Sequence, residues 1–383
     1  MIPSGFLLVS PGPVDGYPPV QYQARLLANA GYEVELVTLP LNAGREGTFF
    51  AHRGVRITCL PGRLLTPGRT ALRLLALVRS VAAARLRLGR ARSVEICYDP
   101  IGVWISDLTP RKPAVRVAHF HELLRDAPMH LERRLPRAIA GFDHVVVPDA
   151  GRARHTQDKL ELPRLPLVIE NYPLRAHALP DRPVRKDGFE VVYCGSLGLS
   201  QKLDAVIQSI PAWPAHATLV LIGDDTRPIA KRLRAMAEEL DVSDRVTFLG
   251  WMDLPQAEER MAWADLGIAL LDSKSIQWRT ALGASNKRYL FMKAGLPQIG
   301  DTNPGVPELI ESNGIGACVT DHDPAQIAAQ VAAYAADPSR CRAEGMRAFD
   351  LHRGVYNYDA AFRRLLDLWN TPLEAGHETA LHI

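Results

Sequence analysis

Three residues at the start of one helical pattern carry the strongest chemical signal in this chain of 383 residues. Ser285 precedes the run NKRYLFMKAG. It is expected to cap that helix, leaving the backbone N–H groups of Asn286 and Lys287 pointing outward at the positive end of the helix dipole. Such an end binds phosphate, and Lys287 adds a formal charge beside it. A plain cap with a surface lysine is the alternative. A second helix start, TNPGVPELI, puts Gly305 where the chain must turn sharply or approach something closely, with Glu308 in the first turn. A tight turn with a capping carboxylate fits the same residues. In the first half of the chain, AHFHELLRD ends the apolar run VRVAHF. His119 and His121 are two apart, so on an extended backbone they point the same way, and Glu122 follows. A His-x-His pair can bind a metal, but no third ligand stands at a recognisable spacing. A hydrogen-bonded structural histidine is the remaining reading.

Other polar clusters read more simply. Asp321-His322-Asp323 precedes Pro324 and a helical pattern, which is a cap and a turn. Asp224 and Asp225 end the run ATLVLIG and could cap a helix or face a ligand. There is no GxxxxGK[ST], no GxGxxG after the first apolar run and no GxSxG, which argues against a P-loop NTPase, a dinucleotide enzyme and an α/β-hydrolase.

The elements that position these residues follow from periodicity. FLLVS, the Gly/Pro loop PGPVDGYP, the helical PVQYQARLLANAG and YEVELVT form a βαβ opening. Strands are expected at VRITCL, VEICY, VRVAHF, HVVVP and LVIEN. After a Pro-rich charged stretch they restart at FEVVYCG, ATLVLIGD, RVTFLG, ADLGIALL, LPQIGD and GACVT. Short apolar strands alternating with helices predict parallel sheets covered on both faces. The expected fold is α/β: two doubly wound Rossmann-like domains facing across a cleft, with a ligand at the carboxyl ends of the strands. The expected boundaries are 1–172 for the first domain, 173–188 for the linker, 189–355 for the second domain, 356–371 for a closing helix and 372–383 for a tail.

Composition bounds the rest. A chain that is 47% hydrophobic and 23% charged buries large cores and is not disordered. Its five cysteines, Cys59, Cys97, Cys194, Cys318 and Cys341, are odd in number and never form CxxC, so they read as buried thiols of a reducing compartment. No run reaches the ~20 apolar residues of a membrane span, and the first residues lack a basic flank, so a cytoplasmic protein is expected. The net charge of +3 hides an asymmetry: residues 1–186 hold 27 Lys/Arg against 16 Asp/Glu, or +11, and residues 187–383 hold 18 against 26, or −8.

Part of that excess is a run from Glu46 to Glu95 with ten arginines and no acidic residue between them. On a helix over 69–92, Arg69, Arg73, Arg79, Arg87 and Arg90 share one side, and Leu74, Leu77, Val78, Val81 and Leu88 the other, while Arg85 and Arg92 break the pattern. A basic amphipathic helix suits an anionic membrane surface at the inner leaflet, a solvated face or an anionic acceptor. No aromatic residue is interleaved with these arginines, so nucleic acid is not an expected partner.

Taken in order, RVTFLGWM, AWADLGIALL and ASNKRYLFMKAGLPQIGDTNPGVPELIE resemble the nucleotide-binding domain of GT-B glycosyltransferases, especially the large retaining family that uses nucleotide-activated sugars (glycosyltransferase family four-like). The similarity runs from about Phe189 to Glu311. It implies transfer of a sugar from a UDP- or GDP-linked donor to an acceptor hydroxyl of a small molecule, glycan or lipid-linked glycan. Retention of configuration and no cofactor or metal are implied with it. It places Gly195, Lys202, Gly250, Trp251, Met252, Ser285, Asn286, Lys287, Gly305 and Glu308 around the donor, although Trp251 could equally be packing. It places Gly12, Gly16, Tyr17, His119 and Glu122 on the acceptor side. His121 matches a His-Glu signature beside the transferred sugar, and Lys287 stabilises the departing diphosphate. There are three departures from the family: Leu282 and Leu290 stand where two glutamates usually hold the donor, Gln201 precedes Lys202 where a cation is usual, and Gly12 and Gly16 are not a pair. A catalytically degenerate GT-B binding or regulatory subunit and a nucleotide-sugar epimerase are the alternative expectations.

Overall fold

The structure is a computed structural model that describes residues 3–14, 17–40, 54–64, 66, 68–89, 92–124, 134–181 and 188–370. The chain divides into two compact units. One runs to Glu170 and takes the chain back from Asp359; the other is Asn171–Tyr358. The division falls at Glu170/Asn171, and the described part of the 173–188 stretch belongs to the second unit.

The first unit holds a sheet of β1 (Gly5–Val9), β2 (Glu33–Thr38), β3 (Val55–Cys59), β4 (Ser93–Tyr98), β5 (Val115–His119), β6 (His144–Val147) and β7 (Leu167–Val168). Its order is β3-β2-β1-β4-β5-β6-β7, with every pair parallel. The second holds β8 (Phe189–Cys194), β9 (Ala217–Ile222), β10 (Val246–Gly250), β11 (Leu266–Ala269), β12 (Gln298–Gly300) and β13 (Gly316–Cys318), in the order β10-β9-β8-β11-β12-β13 and again parallel. β1, β4 and β8 are buried along their whole length, as continuous apolar strands under two helical layers must be. The strand order reverses beside β1 and beside β8. At such a switch point the loops leave in opposite directions and open a crevice beyond the strand ends.

The arginine run resolves into pairs. Arg56, Glu35, Leu7, Glu95 and Arg116 stand in register across β3, β2, β1, β4 and β5, leaving Glu35 and Glu95 fully buried. The helix Thr70–Leu88 crosses this face. Leu77, Val81 and Ala84 pack on Leu7, Val9 and Val37. Arg85 is itself buried and meets Glu95 with two hydrogen bonds of 2.7 and 2.8 Å, and Arg87 meets Glu35 with two of the same lengths. The expected apolar side therefore holds for Leu77 and Val81 but not for Leu74, which is exposed. Arg87, expected to be free, serves a buried carboxylate. Arg90 lies outside the described residues.

The helix Tyr358–Asn370 ends the described chain. Trp369 packs edge-on against Phe6 of β1, with ring centroids 5.3 Å apart, and Arg364 pairs with Glu170. Among the described residues no helix is long and apolar enough to cross a membrane.

Candidate functional site

In the second unit, the candidate residues gather where β8, β9 and β10 end. Gly195 follows β8 with φ of +140°, a conformation closed to side chains, and its N–H bonds Ile222 O at 2.9 Å. A Cβ on Gly195 would lie 2.4 Å from Cε of Lys287, so the lysine stem lies directly over this glycine. Gly250 ends β10, and its carbonyl accepts from Gly223 N–H at 2.9 Å. Lys287 begins the helix Lys287–Lys293, with its ammonium 5.8 Å from the Tyr193 ring centre. Burial pushes its pKa down to about 8, Cys194 opposing the shift and Arg288 adding to it. Among the described residues no carboxylate pairs with it.

Ser285 does not cap this helix. The capping position belongs to Asn286, whose side chain makes no capping bond, while Ser285 N–H bonds Ala281 O and its buried hydroxyl has no partner among the described residues. Lys202 adopts the left-handed conformation and forms an ion pair with Asp272 at 3.7 Å, so its charge is already met. Trp251 is 38% exposed, whereas Met252 packs on the apolar cluster of Val192, Val220 and Met261. Gly305 has φ of +80° and precedes the helix Val306–Ile310, on which Glu308 is exposed.

The two departures have packing reasons. A Cβ on Gly305 would lie 2.5 Å from Cδ2 of Leu282, so Leu282 covers Gly305. Leu290 is in the same apolar cluster as Met252. Between them, Arg288 is fully buried and pairs with Asp301 at 2.5 Å. Asp301 also accepts from Leu271 N–H and Asn303 N–H, fixing the loop that leads to Gly305. A lone arginine in an apolar helix was the only hint of this pair in the sequence.

The other polar motifs are structural. Asp323 caps the helix Pro324–Ala336 through Ala325 N–H at 3.0 Å. Asp224 bonds Thr226 and Arg227, and Asp225 pairs with Arg234. Among the described residues no group of three His, Cys, Asp or Glu is placed to hold a metal ion.

In the first unit, His121, Tyr17, Gly12 and Glu122 come together beyond β1 and β5. Gly12 O accepts from the hydroxyls of Ser10 and Thr38, and its Cα faces the Tyr17 ring. The His121 ring stacks on Tyr98 at 5.4 Å and stands 4.5 Å from His119 and 5.7 Å from Tyr17. His119 is tied into the core: Gln23 contacts its Nδ1 at 3.0 Å and receives the Tyr98 hydroxyl at 2.7 Å. His121 differs. It is 5% exposed, yet neither ring nitrogen has a partner among the described residues. Burial, aided by Arg152, pushes its pKa down to about 3, so the imidazole is neutral and offers one donor and one acceptor. Glu122 is exposed. Burial raises the Tyr17 phenol, and so do Asp99 and Glu122. Gly16 lies outside the described residues. Sequence reasoning missed Asp99 and Arg152, which hold the His121 backbone; an Asp-Pro directly after VEICY was the available signal.

Residues 188–337 match the family model described as glycosyl transferases group 1. No curated protein matches the chain. Among solved structures, the sucrose-phosphate synthase of Thermosynechococcus elongatus superposes with a TM-score of 0.72 at 16% identity, covering 96% of this chain and 98% of that one. HepE of Anabaena in complex with UDP-glucose gives 0.68 at 16% identity, over 95% and 99%. A TarM variant of S. aureus in complex with fondaparinux, α-GlcNAc-glycerol and UDP gives 0.69 at 11% identity, over 96% and 100%. At such identities the likeness is one of fold.

Proposed function

We propose, proceeding from a chain of GT-B fold whose residues 188–337 match the group 1 glycosyl transferase model, that the protein is a hexosyl-type glycosyltransferase. It moves a sugar from a UDP- or GDP-linked donor to an acceptor hydroxyl, with retention of configuration, on a small molecule, glycan or lipid-linked glycan. The observation that carries this reading is Lys287: a desolvated cation without a carboxylate partner among the described residues, laid over a left-handed glycine at the end of β8, beside the switch point. A departing diphosphate develops negative charge, and a fixed cation in a poorly solvated site stabilises it most. Gly195 admits close backbone approach, and the amide at Asn286 is assigned to the same phosphates, the Ser285 N–H being taken by Ala281 O. Lys202, held by Asp272, takes a smaller share than its formal charge suggests. The reading gives the charge to these groups and asks for no metal. Neutral His121 hydrogen-bonds a sugar hydroxyl and is not a strong base.

A donor panel tests the reading. The chain is expected to transfer or slowly hydrolyse at least one UDP- or GDP-sugar, and to bind UDP more weakly as pH rises through about 8, where Lys287 loses its proton. Failure of every donor, with UDP binding indifferent to pH and to Lys287→Ala, abandons it. The specific observation behind a second reading, a degenerate binding subunit, is the burial of Leu290 and the seating of Leu282 on Gly305, which leave no carboxylate at either position. Nucleotide binding without turnover of any sugar selects that reading.

The helix Thr70–Leu88 also presents Leu72, Leu75 and Leu86 to solvent at 55–60% exposure, on one side with Arg79. Apolar side chains flanked by arginines suit the boundary of an anionic leaflet, each cation near the surface contributing about 1 kcal/mol. We assign a peripheral membrane role at the inner leaflet to this side. Flotation with vesicles containing anionic phospholipid is expected, and it should be lost when Arg69, Arg73 and Arg79 become glutamine. Sedimentation of the native chain away from the vesicles at low salt rejects the role.

A further inference from the structure

We propose that Asp99 is a positioning residue for His121: together with Arg152 it clamps the His121 peptide from both sides and so sets the imidazole toward a bound sugar. The inference rests on the glycosyl-transfer reading above. His121 N–H donates to Asp99 Oδ1 at 3.0 Å, and His121 C=O accepts from Arg152 Nη1 at 2.6 Å. The Asp99 carboxyl also receives Glu122 N–H. The three partners come from the ends of three neighbouring strands: Asp99 directly follows β4, His121 follows β5, and Arg152 lies on the helix Ala150–Leu160 after β6. Arg152 is buried.

The clamp matters because, among the described residues, nothing orients the ring itself by hydrogen bonding. A buried histidine is usually fixed by a partner on one ring nitrogen, which also selects its tautomer. Here both nitrogens are buried without one among the described residues, and an unmet buried polar group is costly. Stacking on Tyr98 fixes the ring plane, and the held peptide fixes where that ring starts. Asp99 sits at φ of +56°, a sparsely populated conformation for a residue with a side chain, and the two amide bonds are what its carboxyl gains there.

The clamp also titrates where the imidazole does not. Burial raises the Asp99 carboxyl to about 6, Glu122 adding to the rise, while the amides of His121 and Glu122 and the charge of Arg152 oppose it. His121 stays neutral down to about 3. The other polar groups around the cluster are the Tyr17 phenol, pushed up by Asp99 and Glu122, and Asp149, which shares Arg152. Between pH 7 and 5, therefore, the proton is taken by Asp99. One of its oxygens then becomes a hydroxyl, and the amide bonds lose charge assistance, which is worth roughly half their strength.

Two measurements on the full chain test this. First, kcat/KM for the sugar transferred by the native protein is expected to fall as pH drops through about 6 and to level off near the Asp99→Asn value, up to about tenfold lower. Asp99→Asn, which keeps an acceptor oxygen and tolerates positive φ, is expected to retain at least a tenth of native activity at pH 7.5 with a flat profile to pH 5. His121→Asn is expected to lower activity at every pH and to flatten the acid limb, because without the imidazole the clamp has nothing to set. An acid limb unchanged in Asp99→Asn overturns the proposal. Second, the His121 backbone amide proton resonance is expected to shift with a midpoint near pH 6 in the native chain and to stay still in Asp99→Asn. No shift in the native chain, or the same shift in both, overturns the proposal whatever the activity. The expected amide behaviour with no turnover of any nucleotide sugar leaves the clamp standing and removes the glycosyl-transfer reading instead.

Discussion

Replacing Lys287 by alanine is expected to lower turnover of the nucleotide-sugar donor by about 10²–10³-fold, the loss typical of one fixed donor to developing negative charge. The reason is local. Lys287 lies over Gly195 at the end of β8, its ammonium is partly desolvated, and among the described residues no carboxylate quenches it. A phosphate oxygen entering beside Gly195 would meet that charge in a medium where it counts for more than in water. The fold should not suffer, because burying an unpaired ammonium is a cost that alanine removes. The sign of the pH effects follows. The folded pKa of about 8 lies below the ordinary lysine value of 10.5, so the unfolded chain binds more protons between them. This group's contribution to stability is complete above 10.5 and fades as pH falls through 8. Affinity for UDP runs the other way and weakens as pH rises through 8. Initial rates, UDP titrations and melting curves of the native chain and Lys287→Ala across pH 7–10 check all three. An unaltered rate in the variant would show that the diphosphate is held elsewhere.

The largest stability effect is expected at Arg85, which the sequence alone leaves off the basic side of its helix. Arg85→Ala should destabilise the first unit by about 3–5 kcal/mol, the usual consequence of removing one partner from a buried ion pair. For a unit of this size that corresponds to a melting point lower by roughly 6–20 °C. Arg85 donates to both oxygens of Glu95, to the carbonyls of Ser106, Thr109 and Pro110, and to the Ser106 hydroxyl. Without it, Glu95 in the middle of the sheet keeps only the Cys97 thiol, at 3.2 Å. Replacing both partners, Arg85→Met with Glu95→Leu, should recover most of the loss, because the uncompensated charge disappears with its partner. A double variant no more stable than Arg85→Ala would mean that the carbonyl bonds, and not the ion pair, are what the arginine supplies.

These two results bear on the +11 charge of residues 1–186. Arg85 and Arg87 answer Glu95 and Glu35 inside the unit, and Arg56 approaches Glu35 at 3.6 Å. On the helix Thr70–Leu88 and at its start, Arg69, Arg73 and Arg79 stand near the exposed Leu72, Leu75 and Leu86, which is why those three are the residues to test against vesicles. In the acidic second unit the phosphate site asks for only one unpaired cation. Charges beyond about 8 Å are largely screened at physiological salt, so the −8 total of residues 187–383 does not oppose it.

Much of the fold was legible. FLLVS, VEICY and FEVVYCG read as buried parallel strands because continuous apolar runs bounded by Gly and Pro have few other uses, and these strands are fully buried. The helix start at Lys287 was legible for the same reason, although its cap was placed one residue early: Ser285 N–H bonds Ala281 O, so the turn that precedes the helix has claimed it. Composition and periodicity are local properties of the chain, and they determined two parallel sheets, the strand ends at Gly195 and His121, and a lysine at a helix start. Which arginines are buried, why Leu282 and Leu290 are apolar, and how Asp99 and Arg152 hold His121 depend on the register of strands and helices distant in sequence. Arg85 finds Glu95, and Lys287 finds Gly195, only once the sheet has fixed which side chains share a face. That pairing is non-local, and only the tertiary structure decides it.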